Sequence, residues 1–391
     1  MPKRLVYLDN AATTPVRPEV LEAMLPYLGR DAFGNPSSPH RFGRAARAGI
    51  DEAKRTIAEA LGGQPGEVIF TSGGTEADNL AVIGCALAAR ERGGPFRVAV
   101  SAIEHKAVLA AAHAVTRLGG EEIVLAVDAC GAVMDDALAV ALGRGVALVS
   151  VMWVNNEVGV VQPVAGLAAR CRAAGVPFHV DAVQALGKIP VALAEVGCTL
   201  LTISGHKIGA PKGIGALIVR DRHAVEAILH GGGQQFGIRP GTENVPGIIG
   251  LGKAVELAVR EQADFGARVA ALRDELERRV LAVVPDAVIN GAHATRAPHV
   301  SNVSVPGTDS EALLMHLDLA GIACSSGSAC STGAVEPSHV LTAMGVPREL
   351  GVAALRFSFG KDNTTDDLEA VIGALPKIVE KVRQLSAVLH R

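Results

Sequence analysis

One lysine in this sequence, Lys207, is poorly explained as solvent-exposed surface. It follows Ser204 and His206 and precedes the turn Gly-Ala-Pro-Lys-Gly at residues 209–213, so the chain around it is apolar or glycine-rich. A lysine amine in such a place can form a Schiff base with an aldehyde. The sequence therefore predicts that Lys207 reacts with a carbonyl group and is not simply a solvated surface residue.

Two further segments carry groups that would complete such a site. Residues 71–76, Thr-Ser-Gly-Gly-Thr-Glu, form a glycine turn whose backbone N–H groups and Thr75 hydroxyl could hold a phosphate, although the turn could also simply cap a helix. The turn matches neither the P-loop pattern nor the dinucleotide-binding pattern. Asp181 could keep a pyridine nitrogen protonated and so make the ring an electron sink, or it could cap the next helix.

Gln184 and His105 fit the same chemistry. Gln184 lies about one helical turn after Asp181 and could reach a ring hydroxyl, while His105 could stack on the ring and carry protons. A lone histidine is more often structural than catalytic. The combination with Lys207 is more specific than any part, and it predicts a pyridoxal phosphate site.

The elements that must position these residues follow a βαβ rhythm from about residue 45 to residue 230. Short β-branched runs, which indicate buried parallel strands, alternate with alanine-rich helices. Polar groups follow five successive strands, in the segments 71–76, 101–105, 153–156, 181–184 and 204–207. Because ligands bind beyond the carboxyl ends of an open parallel sheet, one pocket is expected there. The pattern predicts an α/β fold with a doubly wound, mostly parallel sheet.

Two domains are expected in the 391 residues, which exceed what one minimal core needs. A stretch rich in glycine and proline, residues 231–246, ends the βαβ region, and a long helix is predicted from Gly250 to about Val283. We expect a large domain over residues 15–260. Residues 1–14 and 261–391 are expected to form a smaller α+β domain.

The segment 323–334 consists only of Ala, Cys, Ser, Gly and Thr. Such small side chains cannot pack a core, so we expect a mobile loop over about residues 323–335. Cys330 within it is either an incidental exposed thiol or a nucleophile that travels, and a lysine-linked cofactor nearby favours the nucleophile. Cys324, the nearest other cysteine, is expected to be passive, and the residues between the two do not resemble a zinc knuckle.

An arginine, Arg356, lies in the apolar run Leu-Arg-Phe-Ser-Phe at residues 355–359. A buried guanidinium without a partner is costly, so we expect a carboxylate beside it. That carboxylate could belong to the protein or to an amino-acid substrate.

Charge and hydropathy exclude two broad classes of function. The chain carries 37 Lys and Arg against 40 Asp and Glu, for a net charge of −3, whereas a nucleic-acid-binding protein is typically basic. No apolar run reaches the ~18 residues that a membrane-spanning helix needs. Asp9 interrupts the start of the chain before the apolar core of a signal peptide could form. We expect a cytoplasmic protein that binds neither nucleic acid directly nor a membrane.

These motifs together resemble the NifS/IscS branch of cysteine desulfurases, which are fold-type I pyridoxal phosphate enzymes, and within it the group with the long catalytic loop. The resemblance extends through nearly the whole chain. It is carried by residues 7–15, 33–38, 71–79, 104–105, 154–157, 179–184, 204–207, 241–244, 326–330 and 356–358.

The resemblance implies a role for each matched residue. Lys207 would carry the cofactor and remove the substrate α-proton, His105 would stack and transfer protons, and Cys330 would be the nucleophile. The substrate carboxylate would be held by Arg356 and Asn155, with Asn35 as a weaker candidate. The residues implied in cofactor binding are Thr75, Glu76, His105, Asn155, Asp181, Gln184, Ser204, His206, Lys207 and Thr242, the last reaching across from the partner subunit of a homodimer.

The implied reaction converts L-cysteine to L-alanine and leaves the sulfur on Cys330 as a persulfide. The sulfur would then pass to an acceptor, such as a scaffold protein for iron–sulfur cluster assembly, with tRNA thiolation as another destination. No permanent metal site is expected, although Cys330 could transiently ligate an iron–sulfur cluster.

Two alternatives remain open at this point. A pyridoxal phosphate-dependent selenocysteine or cystine lyase, or an aminotransferase, would use the same cofactor but need no protein thiol. A cysteine-based iron or cluster carrier without enzymatic activity would show no lysine-linked chromophore, and one close pair of cysteines offers too few ligands for a cluster held by one chain.

Overall fold

A computed structural model describes residues 5–327, 330–331 and 334–389, and for residues 330, 331, 334, 335 and 386–389 it describes the backbone alone. The described residues form short strands throughout the chain. These are β1 Val6–Tyr7, β2 Val68–Thr71, β3 Arg97–Ser101, β4 Glu121–Leu125, β5 Leu148–Ser150, β6 Phe178–Asp181, β7 Leu200–Ser204, β8 Gly215–Val219, β9 Val288–Ile289, β10 Val300–Ser304, β11 Ile322–Ala323, β12 Cys330–Ser331, β13 Ala334–Val335 and β14 Ala354–Ser358.

Helices separate most of these strands, and glycines in the left-handed region end several of them, as Gly62 does at φ 71°. The helices are α1 Pro18–Leu28, α2 Arg41–Leu61, α3 Gly74–Glu91, α4 Lys106–Arg117, α5 Asp135–Gly143, α6 Val164–Ala173, α7 Leu193–Val196, α8 Val245–Arg260, α9 Gln262–Val283, α10 Ser310–Leu319, α11 His339–Ala343, α12 Arg348–Gly351 and α13 Thr365–Leu389.

Seven strands form the large sheet, in the order β2-β8-β7-β6-β5-β3-β4. Strand β8 runs antiparallel to both of its neighbours, β2 and β7, and the other pairings are parallel. The prediction of a mostly parallel α/β sheet is therefore confirmed. Because every strand except β8 points the same way, the segments that follow β2, β3, β5, β6 and β7 all emerge at one edge.

Helices cover both faces of this sheet, and the strands are apolar on both sides. Consecutive residues point to opposite faces of a strand, so Val68 and Phe70 pack in one apolar cluster while Ile69 packs in another. Strand β5 repeats the pattern with Val149 and Leu148. This double burial explains why these strands read as continuous apolar runs in the sequence.

A third apolar cluster surrounds a three-stranded antiparallel sheet in the order β14-β10-β9. Its residues come from α9, α10 and α13, and from Val6 and Leu8 near the start of the chain. Strand β1 also pairs in parallel with β11. The domain boundaries at residues 14 and 260 stay a prediction.

The long helix predicted from Gly250 to about Val283 is instead two helices, α8 and α9. Glu261 lies between them at φ −94° and ψ −1°, and its carboxylate accepts hydrogen bonds of 2.8 and 2.9 Å from Arg17. No helix in the described ranges combines the length and apolarity that crossing a membrane requires.

Candidate active site

A cavity of about 590 Å³ lies beyond the carboxyl ends of the parallel strands. All five segments that were predicted to meet there contribute to its wall. The predicted site residues that line it are Thr75, Glu76, His105, Asp181, Gln184, Ser204, His206, Lys207 and Arg356.

Lys207 follows β7 in a short 3₁₀ turn, and its amine contacts the start of the chain. Its Nζ donates to the carbonyl oxygens of Ala11 and Ala12, each at 2.6 Å. Burial lowers the pKa of Lys207 to about 8, and the positive charge of Arg356 acts in the same direction. Because the neutral amine is the nucleophilic form, Lys207 can react with a carbonyl group closer to neutral pH than an exposed lysine could.

The glycine turn after β2 opens α3, with Gly73 at the N-cap position. A Cβ on Gly74 would lie 3.1 Å from the Val183 side chain and 3.4 Å from that of Ser204, so a glycine lets these segments approach each other closely. Backbone N–H groups at the start of a helix attract anions, and the hydroxyls of Thr75 and Ser204 add donors. This end of the cavity therefore suits a phosphate group.

His206 and Lys212 line the same cavity. The Nδ1 of His206 lies 3.2 Å from the Thr13 hydroxyl. Burial lowers the pKa of His206 to about 4, helped by the charges of Lys207 and Lys212. His206 is consequently neutral at neutral pH and can contribute an N–H donor rather than a charge, whereas Lys212 supplies positive charge to the wall.

Asp181 ends β6 and is 4% exposed. Its Oδ1 accepts a 2.9 Å hydrogen bond from the backbone N–H of Val183. Burial raises the pKa of Asp181 to about 6, although that hydrogen bond and the charge of Lys207 oppose the rise. A bound cation, such as a protonated pyridine nitrogen, would favour the ionised carboxylate further.

A second carboxyl group, that of Asp78, lies deeper in the cavity wall. It is 2% exposed, and its Oδ1 has no hydrogen-bond partner among the described residues. Burial raises the pKa of Asp78 well above its usual value, and the neighbouring Asp181 raises it further. Of the two carboxyl groups, Asp181 is the one whose ionised form is favoured, by the Val183 hydrogen bond and the charge of Lys207.

His105 is the N-cap residue of α4. Its Nδ1 accepts a 3.1 Å hydrogen bond from the backbone N–H of Ala107, so the proton of the neutral ring lies on Nε2. Desolvation of the ring lowers the pKa of His105, and the charges of Lys207 and His339 lower it further. The result is a neutral imidazole in the cavity wall that can stack on a ring or exchange a proton.

Gln184 is 5% exposed and faces the cavity. Its Nε2 donates to the Ala11 carbonyl oxygen at 2.8 Å, and its Oε1 lies 3.1 Å from the Nε2 of His299. The side chain is therefore oriented by Ala11, near the start of the chain, and by His299, just before β10.

Arg356, in β14, has the carboxylate partner that its apolar surroundings required. One of its terminal nitrogens donates to Asp9 at 2.7 Å and the other donates to the Asn156 carbonyl oxygen at 3.0 Å. Its Nε is buried and has no partner among the described residues. The guanidinium is thus held in place by the protein, and these two bonds use only two of its five N–H donors.

Asn155 is oriented differently from the neighbouring Asn156, which lines the cavity. Asn155 is fully buried, and its amide nitrogen donates to the Ile103 carbonyl oxygen at 2.9 Å. Its amide oxygen accepts from the backbone N–H groups of Glu157 and Val158. Direct contact between Asn155 and a ligand stays a prediction, and it would require an exchange of these bonds.

Glu76 lines the cavity, and its carboxylate pairs with an arginine. Its carboxylate accepts hydrogen bonds from Arg239 at 2.7 and 3.2 Å and from the backbone N–H of Ser72 at 2.7 Å. Arg239 lies three residues before Thr242, which is exposed and outside the cavity wall of its own chain. Glu76 therefore ties the glycine turn to the segment that carries Thr242.

Asn35 is also exposed and does not line the cavity of its own chain. Its side-chain oxygen accepts a 2.9 Å hydrogen bond from the backbone N–H of Ser37.

The backbone of Cys330 pairs with that of Val335 between β12 and β13. Its thiol lies outside the part of the chain whose side chains the structure describes, as do residues 328–329 and 332–333 of the predicted mobile loop. Cys324 is described, and burial raises the pKa of its thiol to about 12. Because the thiolate is the reactive form, Cys324 is a poor nucleophile in this position.

The arrangement suits a compound that carries an aldehyde, a basic ring nitrogen and a phosphate. Lys207 can bond the aldehyde, Asp181 can pair with the ring nitrogen, and the turn at Gly73 and Gly74 can hold the phosphate. Arg356 lines the same cavity, where its guanidinium can pair with an additional carboxylate. Among the described residues, no group of three or more His, Cys, Asp or Glu side chains is placed to hold a metal ion.

Two groups in the cavity wall, Asp78 and Lys212, and one behind it, His299, were not identified as site residues from the sequence. Asp78 could have been noticed as an acid on the buried face of an alanine-rich helix, where it must have a special environment. Lys212 lies in the turn that was used only as context for Lys207. His299 had no local signal, because its contact with Gln184 depends on how the smaller sheet packs.

Comparison with known proteins gives a match over most of the chain. Residues 6–371 match the family described as aminotransferase class-V. Two curated relatives cover nearly the full length, and both are named cysteine desulfurase IscS. The relative from Dictyoglomus turgidum is 46% identical over 384 residues, which are 98% of this chain and 97% of that protein. The relative from Methanosarcina thermophila is 43% identical over 383 residues, or 98% of this chain and 94% of that protein.

A solved structure shares the fold. The X-ray structure of a NifS-like protein from Rickettsia africae has a TM-score of 0.86 and 33% sequence identity, and the match covers 96% of this chain and 100% of that chain. The resemblance indicated by the sequence motifs is thus confirmed over nearly the whole chain.

Proposed function

The chain belongs to the aminotransferase class-V family, and from that premise we propose that it is a cysteine desulfurase. It converts L-cysteine to L-alanine and retains the sulfur on Cys330 as a persulfide. The observation that carries the proposal is the single cavity in which Lys207, Asp181 and Arg356 meet. The names of the relatives, cysteine desulfurase in each case, support the same activity.

The cofactor in this proposal is pyridoxal phosphate, which when bound supplies an electron sink for the bonds at the substrate's α-carbon. Lys207 would bond its aldehyde, Asp181 would pair with its ring nitrogen, Gln184 would donate to its ring oxygen, and His105 would stack on its ring. The phosphate would be held by Thr75, Ser204 and His206. Glu76 would support the glycine turn through its bonds to Arg239. Asn155, which is buried next to Asn156, would contribute to cofactor binding after an exchange of its present hydrogen bonds.

Lys207 also moves the substrate's α-proton. Its low pKa of about 8 lets the amine accept a proton near neutral pH and return it later. The carbonyl oxygens of Ala11 and Ala12, each at 2.6 Å, accept from the charged form and so hold the amine in place between these two tasks.

The substrate carboxylate binds Arg356. The two terminal nitrogens each keep a second N–H, and the donor now bonded to Asp9 becomes available if Asp9 moves aside. The guanidinium stays in position during this exchange because the Asn156 carbonyl oxygen still accepts from it. Asn35 is a weaker candidate for the same carboxylate.

The sulfur step belongs to Cys330. Its thiolate attacks the sulfur of the bound substrate, so a sulfur–sulfur bond forms while the carbon–sulfur bond breaks. The electron pair of the broken bond goes to the carbon skeleton, which takes up protons and leaves as alanine. His105, neutral with its proton on Nε2, is suited to supply one of these protons.

We further propose that the protein is a cytoplasmic homodimer in which Thr242 of the partner subunit reaches the cofactor phosphate. The exposed position of Thr242, outside the cavity of its own chain, supports this role. An acceptor protein, such as a scaffold for iron–sulfur cluster assembly, then removes the sulfur from Cys330.

The test is alanine formation from L-cysteine by the cofactor-loaded protein under anaerobic conditions. We expect alanine from the wild type and a loss of at least about a hundredfold in Cys330→Ala, because the nucleophile is gone. Cys324→Ala is the matched control, and it should retain activity because its thiol is buried with a pKa near 12. Full turnover by Cys330→Ala would instead favour a lyase or aminotransferase that needs no protein thiol.

A further inference from the structure

Two groups fix the direction in which the amide of Gln184 points. Its Nε2 donates to the Ala11 carbonyl oxygen at 2.8 Å, and its Oε1 lies 3.1 Å from the Nε2 of His299. The reversed amide would place its oxygen against the Ala11 oxygen, and two acceptors repel each other. The amide oxygen therefore faces His299, and the amide nitrogen faces Ala11.

His299 can make this contact in only one form. An amide oxygen only accepts, so His299 must donate from Nε2. Its Nδ1 is buried and has no hydrogen-bond partner in the described part of the chain. Burial holds the pKa of His299 well below its usual range, and the charges of Lys188, Arg356, Arg273 and Lys207 act in the same direction. His299 is therefore neutral, with its single proton on Nε2.

His299 is anchored outside the large sheet. It immediately precedes β10, the central strand of the smaller sheet, and it is fully buried. Its carbonyl oxygen accepts a 2.8 Å hydrogen bond from the backbone N–H of Phe359, just after β14. These contacts give the imidazole little freedom to turn away from Gln184.

We propose that His299 is a positioning residue for the cofactor site: it orients Gln184 so that an amide N–H points at the ring oxygen of pyridoxal phosphate. An amide nitrogen carries two hydrogens, and Ala11 accepts one of them, so one remains for a ligand in the cavity. This inference rests on the proposed function, because it assumes the proposed cofactor.

The colour of the cofactor-loaded protein reports on that N–H. A donor at the ring oxygen stabilises negative charge there, so the chromophore gives up its proton at a lower pH. Without His299 the Gln184 amide can turn or withdraw, and the midpoint of visible absorbance against pH rises. The expected rise is about 0.5 to 1 pH unit, which corresponds to the loss of one hydrogen bond.

The experiment is a pH titration of visible absorbance in the cofactor-loaded protein. We expect His299→Leu to raise the midpoint, and His299→Gln to restore most of it because its amide N–H can reach the position of Nε2. Gln184→Leu should raise the midpoint by a similar amount, and adding His299→Leu to it should cause no further change. Ser301→Ala is the control within β10, since the Ser301 hydroxyl is buried without a partner among the described residues.

Two results would overturn the inference. One is an unchanged midpoint in folded, cofactor-loaded His299→Leu, and the other is an equal shift from His299→Leu with and without Gln184. If His299→Leu does not fold, His299→Ala removes the same donor with a smaller side chain. A wild-type protein that forms no chromophore with pyridoxal phosphate would refute the proposed function and this inference with it.

Discussion

At the scale of single residues, the reactivity of Lys207 depends on a charge that the protein places beside it. Burial is the largest cause of its low pKa of about 8, and the guanidinium of Arg356 is the next. Asp9 pairs with Arg356 at 2.7 Å, and its negative charge works in the opposite direction. One arginine therefore serves both as a carboxylate ligand and as a means of keeping the lysine amine neutral.

Replacing Arg356 with Gln should raise the pKa of Lys207, because a positive neighbour is removed while the carboxylate of Asp9 stays. Since only the neutral amine attacks an aldehyde, the pH midpoint for cofactor uptake by cofactor-free protein should move upward by about 0.5 to 1 unit. The measurement is the rate at which the visible chromophore forms as a function of pH.

The matched control for this charge is Arg278→Gln, because Arg278 is exposed and pairs with Glu275 on α9. Its uptake profile should coincide with that of the wild type. An Arg356→Gln profile that also coincides would mean that burial alone sets the pKa of Lys207.

At the scale of elements, one carboxyl group lies against both ends of the segment that carries Cys330. Glu157 lies beyond β5, is 5% exposed, and accepts a hydrogen bond from the hydroxyl of Ser338 at the N-cap of α11. On the other side, a Cβ on Gly327 would collide with the Glu157 carboxylate. Gly327 precedes Cys330 and Ser338 follows it, so Glu157 is placed to influence the position of both ends of this segment.

Gly327→Ala should therefore displace the segment and slow sulfur transfer. Overpacking of this kind costs about 1 to 3 kcal/mol, and about 1 kcal/mol lost in positioning would lower kcat about fivefold. The cofactor spectrum should stay unchanged, because Gly327 does not line the main cavity. The measurement is kcat and KM for L-cysteine, together with the visible spectrum.

Gly373→Ala, in α13, is the control for a glycine-to-alanine change because a Cβ there meets nothing within 4 Å. It should retain full activity. A Gly327→Ala protein that is equally active would show that Glu157 does not position the Cys330 segment.

At the scale of the whole molecule, the sequence predicted the large sheet and the polar groups at its edge better than it predicted the contacts between the large sheet and the smaller three-stranded sheet. The rule that parallel strands end at one edge was enough to bring Lys207, Asp181 and His105 to one cavity. The partner of Arg356 could not be chosen in the same way. Asp9 lies 347 residues away, and only the packing of the smaller sheet brings the two together.

The local sequence pattern also failed to predict features that depend on tertiary packing. The apolar period of residues 250–283 continues through Glu261, so it could not reveal that α8 and α9 are separate helices. The motif with two adjacent asparagines did not indicate which one faces the cavity. In the structure Asn156 lines it, whereas the amide of Asn155 is taken up by backbone groups.

We propose that this one cavity transfers sulfur from L-cysteine to Cys330. The most direct test is a peptide map by mass spectrometry after anaerobic incubation of the cofactor-loaded protein with L-cysteine. We expect the peptide that contains Cys330 to gain the mass of one sulfur atom, to lose it on treatment with a reductant, and to remain unmodified in Lys207→Ala. Alanine formed while the Cys330 peptide stays unmodified, or a sulfur adduct on Cys324 instead, would show that the sulfur is not transferred to Cys330.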